Sequence, residues 1–135
     1  MNGSELVTRV LTDGAPAPSG HYTQAMVSGG HVFISGQLPI RPDGRPSAED
    51  GFEAQATQAI KNMLAILDAA GSTPQQLVKV TAYIVGVTNW PRFNAIYASL
   101  LQDACPARTV VTVPELHYGY LVEIDAIAAH VPADH

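Results

Sequence analysis

The chain has 135 residues and a net charge of −5, with 47% hydrophobic side chains and only 14% charged ones, against about 25% charged in an average soluble domain. That length suits one domain, 1–135, with one sizeable core; no apolar run approaches the ~20 residues that cross a bilayer, and the seven scattered Lys and Arg argue against a duplex-binding surface. So low a charge without a membrane span hints at further surface buried between subunits, while a local RNA contact stays open.

In chain order, Leu6 to Leu11 reads as a first strand, followed by a loop at Gly14-Ala15-Pro16-Ala17-Pro18-Ser19-Gly20. Tyr22 to Val27 and His31-Val32-Phe33-Ile34-Ser35 read as strands joined in a hairpin by Ser28-Gly29-Gly30. Leu38 to Asp50 is a proline- and glycine-rich loop. From Phe52 the period becomes helical through Ala56, Ala59, Ile60, Met63, Leu64, Leu67 and Ala70, with Gly71 as the stop. Val78 to Val85 is β-branched and predicts a strand. Asn89 is placed to cap a second helix whose stripe is Phe93, Ile96, Tyr97, Leu100 and Leu101. Ala107 to Val113 and Tyr120 to His130 close the chain as two strands. The expected order is β-β-β-α-β-α-β-β, an α+β fold.

Two helices cover one face of such a sheet. In the last strand Val122, Ile124, Ala126 and Ala128 point one way and Leu121, Glu123, Asp125 and Ile127 the other, so both faces carry apolar groups. A sheet with one wet face should alternate more cleanly. The second face is therefore expected to be buried against other subunits.

Arg108, at the mouth of Thr109-Val110-Val111, and Glu123, within Leu121-Val122-Glu123-Ile124, are the chemically telling residues. A guanidinium and a carboxylate in such strands are costly without partners. An arginine fork suits a substrate carboxylate, and a nearby acid can move protons. A structural salt bridge between the two is the plainer alternative. The five histidines, His21, His31, His117, His130 and His135, have no paired ligand spacing, and no metal site is expected. No phosphate-cradling glycine loop is present. Cys105 is the only cysteine, so no intrachain disulfide is possible, and it reads as partly buried and inert rather than nucleophilic. Met1 to Glu5 lacks a basic segment followed by an apolar one, so no secretory signal is expected and the cytoplasm is the default.

Tyr22 begins a strand after a loop and reads first as a packed aromatic with a bonded hydroxyl. Tyr118 and Tyr120 flank Gly119 in a turn and read as surface packing. Asn94 lies beside the stripe of the second helix, either solvated or bonded to a neighbouring loop. Ser35-Gly36-Gln37 ends a strand, where glycine lets a ligand approach the backbone.

Taken together, several segments resemble the reactive-intermediate deaminase (RidA/YjgF) family from about Ala15 to Ala129. They are Ala15-Pro16-Ala17-Pro18-Ser19-Gly20-His21-Tyr22-Thr23-Gln24-Ala25, Phe33-Ile34-Ser35-Gly36-Gln37-Leu38-Pro39, Asn62, Leu67-Asp68-Ala69-Ala70-Gly71, Val78-Lys79-Val80-Thr81, Phe93-Asn94-Ala95-Ile96-Tyr97, Pro106-Ala107-Arg108 and Val122-Glu123-Ile124. Each piece is short; their order and spacing carry the resemblance. It implies a chorismate-mutase-like mixed sheet covered by two helices, assembled as a homotrimeric barrel with clefts between subunits. It also implies hydrolysis of 2-imino or 2-enamino acids to 2-oxo acids and ammonia, without cofactor or metal. By the same resemblance Arg108 grips the substrate carboxylate, Glu123 positions or activates water, and Tyr22, Ser35, Gly36 and Asn94 are pocket positions.

The chain departs from the family pattern at His21, where proline is usual, and at Val110, where many active members have cysteine. Tyr118-Gly119-Tyr120 replaces a commoner proline- or lysine-containing turn. These departures bear on substrate range more than on fold. The expected activity is that of a 2-iminobutanoate/2-iminopropanoate deaminase; a non-catalytic carboxylate-binding regulatory trimer and an RNA-cleaving or translation-inhibiting protein are the rivals. Neither membrane nor nucleic acid is expected as a partner.

Overall fold

The computed structural model describes residues 6–130, so Met1 to Glu5 and His135 lie outside it. Six strands, β1 (Val7–Val10), β2 (Ala25–Ser28), β3 (His31–Gln37), β4 (Leu77–Val85), β5 (Ala107–Val113) and β6 (Val122–Ala129), form one mixed sheet in the order β1-β2-β3-β6-β4-β5. All neighbours are antiparallel except β4 and β5. A parallel pair needs a crossover, and α2 (Trp90–Leu101) supplies it. With α1 (Phe52–Ala69) the element order is the one the periodicities predict.

Local chemistry sets the joints. Gly29 and Gly30 hold φ 58° and 81°, the left-handed pair that a two-residue hairpin requires, and pair Ser28 with His31. α1 ends in a Schellman motif: the Ser72 amide donates to the Leu67 carbonyl and the Gly71 amide to that of Asp68, with Gly71 at φ 80°. Two expectations change. Asn89 does not cap α2 with its side chain, because a helical turn over Val87–Asn89 already leads into the helix. Its amide donates instead to the Val85 carbonyl, 2.9 Å away. β2 begins at Ala25 rather than Tyr22, because the buried Gln24 side chain ties this segment to the preceding loop. It accepts from the Thr12 amide and donates to the carbonyls of Thr12, Ala15 and Pro16.

The core lies between the helices and one face of the sheet. Ile60, Met63, Ile66, Leu67 and Phe93 pack there against Val32, Val80, Ala82, Ile84, Val122 and Ile124, all fully buried. Each of these large apolar side chains contributes roughly 1.5–3 kcal/mol. As expected, Val122, Ile124, Ala126 and Ala128 face this core, while Glu123, Asp125 and Ile127 remain half-buried on the other face. That open face also shows Phe33 and Val111, both exposed, beside the Tyr83–Asp125 and Lys79–Thr109 hydrogen bonds.

Candidate active site

One irregularity in the sheet builds the site. Ile34 pairs with Ala126 but Gln37 pairs with Ile124, so β3 carries an extra residue at Ser35-Gly36. The bulge turns the Gly36 backbone toward β6, and the Glu123 carboxylate fills the space where a side chain would be. A Cβ at Gly36 would lie 2.6 Å from Glu123 Oε2. The glycine expected to admit a ligand thus first admits the chain's own acid.

Around this contact is a cavity of about 510 Å³ whose wall includes Tyr22, Ser35, Gly36 and Glu123, four of the six expected site residues. The Tyr22 hydroxyl accepts from the Ser19 amide at 3.3 Å, leaving its ring half exposed. The Ser35 hydroxyl donates to the Thr23 carbonyl at 2.6 Å and keeps its lone pairs free to accept. Burial holds the Glu123 carboxyl above its ordinary range, the like charge of Asp125 adds to this, and His117 pulls the other way. A half-buried carboxyl so perturbed in a concave site is a candidate for proton transfer.

Buried amides hold the cavity walls. Asn62 on α1 donates to the carbonyls of Leu38 and Ile40, at 3.1 and 2.9 Å. Gln55 donates to the Ala48 and Asp50 carbonyls and accepts from the Leu121 amide, joining the loop to the start of β6. The Ser47 hydroxyl donates to the Pro39 carbonyl at 2.7 Å, so its one proton is used and the Tyr120 hydroxyl, 2.9 Å away, must donate to it. Of the flanking tyrosines expected at the surface, Tyr120 is therefore a buried anchor; only Tyr118 is exposed.

Arg108 and Asn94 lie elsewhere. Arg108 pairs in register with Val80, and Glu123 with Tyr83. Val80 and Tyr83 are three residues apart on β4 and face opposite sides of the sheet. One chain therefore separates the guanidinium from the carboxylate, and the intrachain salt bridge considered above does not form. Arg108 sits instead over two rings of α2, 5.0 Å from the Tyr97 centroid and 6.0 Å from that of Phe93. It is exposed and makes no ion pair among the described residues. Asn94, also on α2, is exposed. The six residues thus form two groups on one chain, an acid-bearing cavity and an arginine seated on aromatics.

His21 borders a neighbouring depression with Arg9 and Met26 and does not line the cavity of Glu123. Val110 is half-buried beside Ala82 on the helix side. Cys105 is exposed rather than partly buried, because it lies in the short turn between α2 and the edge strand β5. Sequence reasoning passed over His117, weighed only as a metal ligand, although it lines the cavity. Its signal was proximity, six residues before Glu123. Among the described residues no three His, Cys, Asp or Glu side chains gather as metal ligands, and no helix is long and apolar enough to cross a membrane.

Residues 12–130 match the Endoribonuclease L-PSP family. A RutC family protein of Pyrococcus horikoshii is 37% identical over 119 residues, 88% of this chain and 94% of that protein. The 2-iminobutanoate/2-iminopropanoate deaminase of Rattus norvegicus is 34% identical over 130 residues, 96% of this chain and 95% of the rat protein. The crystal structure of E. coli TdcF with bound serine superposes with a TM-score of 0.86 at 30% identity, covering 92% of this chain and 99% of that one.

Proposed function

The chain belongs to the Endoribonuclease L-PSP (YjgF/RidA/RutC) family, and on that premise we propose that it is a cytoplasmic homotrimer hydrolysing 2-imino and 2-enamino acids to 2-oxo acids and ammonia in clefts between subunits. The observation that carries this reading is the division of the two charged residues. Glu123 lines a cavity opening on the uncovered face, while Arg108 waits on the helix side of the edge strand without a carboxylate. An active site needing both takes Arg108 from one subunit and Glu123 from the next. Burying the open face against neighbouring copies also accounts for exposed Phe33 and Val111 and for the low charge content. The deaminase activity named for the rat relative and the serine bound by TdcF support a ligand bearing a carboxylate beside a nitrogen-bearing carbon.

In this scheme the Arg108 fork holds the substrate carboxylate in two parallel hydrogen bonds, its plane set by the Tyr97 ring. The Gly36 carbonyl accepts from the iminium nitrogen. Ionised Glu123 accepts a proton from water as the water oxygen adds to the electrophilic carbon. It then returns that proton to nitrogen; as the C–N bond breaks Glu123 takes the hydroxyl proton of the adduct, so the 2-oxo acid forms, and ammonia leaves carrying that proton as ammonium. The net reaction consumes one water and needs no redox partner. Asn94, exposed on the same helix as Phe93 and Tyr97, belongs in this scheme to the arginine-bearing half.

The test is 2-oxobutanoate release from 2-iminobutanoate made in place by threonine dehydratase, with semicarbazide competing for the imine. Wild type should accelerate it. Arg108→Ala should lose roughly 1.5–3 kcal/mol of charge-assisted binding, about tenfold to 150-fold in kcat/KM. Saturable 2-oxo acid binding without acceleration of any imine would replace this reading with that of a binding protein.

A further inference from the structure

The turn before β6 is the part of the cavity wall that the hydrolytic scheme leaves unused. His117 and Tyr118 both line the cavity, which they share with the apolar Pro16, Leu38 and Ile40. Their rings lie with centroids 3.8 Å apart, and Tyr118 meets Tyr120 edge-on at 6.4 Å. Tyr120 is buried and bonded to Ser47, so the exposed pair rests on an anchored ring. Tyr118 holds this place with φ 62° and ψ 14°, a left-handed conformation that costs a bulky side chain free energy and that clusters where function holds it. With 57% of Tyr118 exposed, ring surface remains for a ligand to cover.

We infer that His117 and Tyr118 form a side-chain subsite selecting 2-imino acids that carry an aromatic or large apolar side chain. The inference rests on the deaminase reading of the same cavity. Offset and edge-to-face ring contacts supply the preference, and the carboxylate and nitrogen contacts remain those of Arg108 and Gly36. Dehydration of serine or threonine yields only short imines. Those selected here arise by two-electron oxidation of the Cα–N bond of the parent amino acid, so an amino-acid-oxidising reaction supplies the substrate. Hydrolysis then adds water to that carbon and releases ammonia as before.

The experiment compares the phenylalanine-derived imine, made in place by L-amino-acid oxidase with catalase, with 2-iminobutanoate made by threonine dehydratase, each against semicarbazide. Tyr118→Gly removes the ring while suiting the left-handed backbone; Tyr118→Phe keeps the ring. The ratio of kcat/KM values, phenylalanine-derived over threonine-derived, should fall about tenfold in Tyr118→Gly and be recovered in Tyr118→Phe. Calorimetry in parallel should show wild type binding phenylpyruvate more tightly than 2-oxobutanoate, and the glycine variant losing that preference. An unchanged ratio, or a wild type preferring 2-oxobutanoate, overturns the inference. So does a Tyr118→Gly variant that sediments at lower mass, since Tyr118 would then be covered by another subunit. If wild type accelerates neither imine but keeps its preference for phenylpyruvate, the subsite stands and the deaminase reading falls.

Discussion

Gly36→Ala isolates the contact that places the acid. The added methyl would lie 2.6 Å from Glu123 Oε2 and 3.2 Å from the carboxyl carbon, whereas ordinary contact begins at 3.4 Å. The carboxylate must therefore withdraw by about 0.8 Å, a shift on the scale at which catalytic misplacement costs around 10²-fold. Because the obstacle is the end of a flexible side chain, a strained rotamer can relieve it for about 0.5–1.5 kcal/mol of stability. The expected variant is folded, with kcat on 2-iminobutanoate reduced ten- to a hundredfold and KM little changed, since Arg108 still holds the carboxylate. Steady-state kinetics with urea unfolding on the same sample separates the two effects. A kcat equal to wild type would show that the position of Glu123 against Gly36 is immaterial, and the mechanism drawn from it would be wrong.

Four further variants follow from charge and burial. Glu123→Gln should abolish turnover yet raise Tm at pH 7: an acid whose folded pKa is raised stabilises the fold only below its unfolded pKa, and that contribution is lost as pH rises through the folded value. Thermal scans should show the difference from wild type shrinking toward acid pH. Asp125→Asn removes a like charge that raises the Glu123 pKa, so the acid limb of the kcat/KM–pH profile should move to lower pH; His117→Gln removes a group that lowers it and should move the limb to higher pH. Asn62→Ala leaves the Leu38 and Ile40 carbonyls without their donor and should cost roughly 2–3 kcal/mol in urea unfolding.

Elements written in local chemistry were legible in the sequence. The glycine pair at the hairpin, Gly71 after α1 and the period change at Phe52 each act within a few residues, and each appears where expected. The alternation of β6 separated its residues into the two sets that the strand shows, one buried and one half-buried. Tyr22, Ser35, Gly36 and Glu123 line one cavity. What escaped is non-local. That Arg108 and Glu123 face opposite sides depends on β4 lying between β5 and β6, a pairing no short window contains. Cys105 is exposed because β5 is an edge, which follows from strand order. The buried amides Gln24, Gln55 and Asn62 resembled ordinary polar residues because their partners are carbonyls of loops, whose course periodicity does not describe. His117 was measured against metal-ligand spacing and so missed as a neighbour of the acid.

The central claim is that the active site takes Arg108 from one subunit and Glu123 from another, and complementation tests it most directly. Arg108→Ala and Glu123→Gln chains, each well below wild-type activity as a pure protein, would be unfolded together in equal amounts, refolded and assayed on 2-iminobutanoate. Random assembly of a cyclic trimer gives roughly a quarter of its interfaces both native residues. The account therefore predicts recovery of about a quarter of the wild-type activity. A mixture no more active than its components, with mixed oligomers verified by mass, would contradict it.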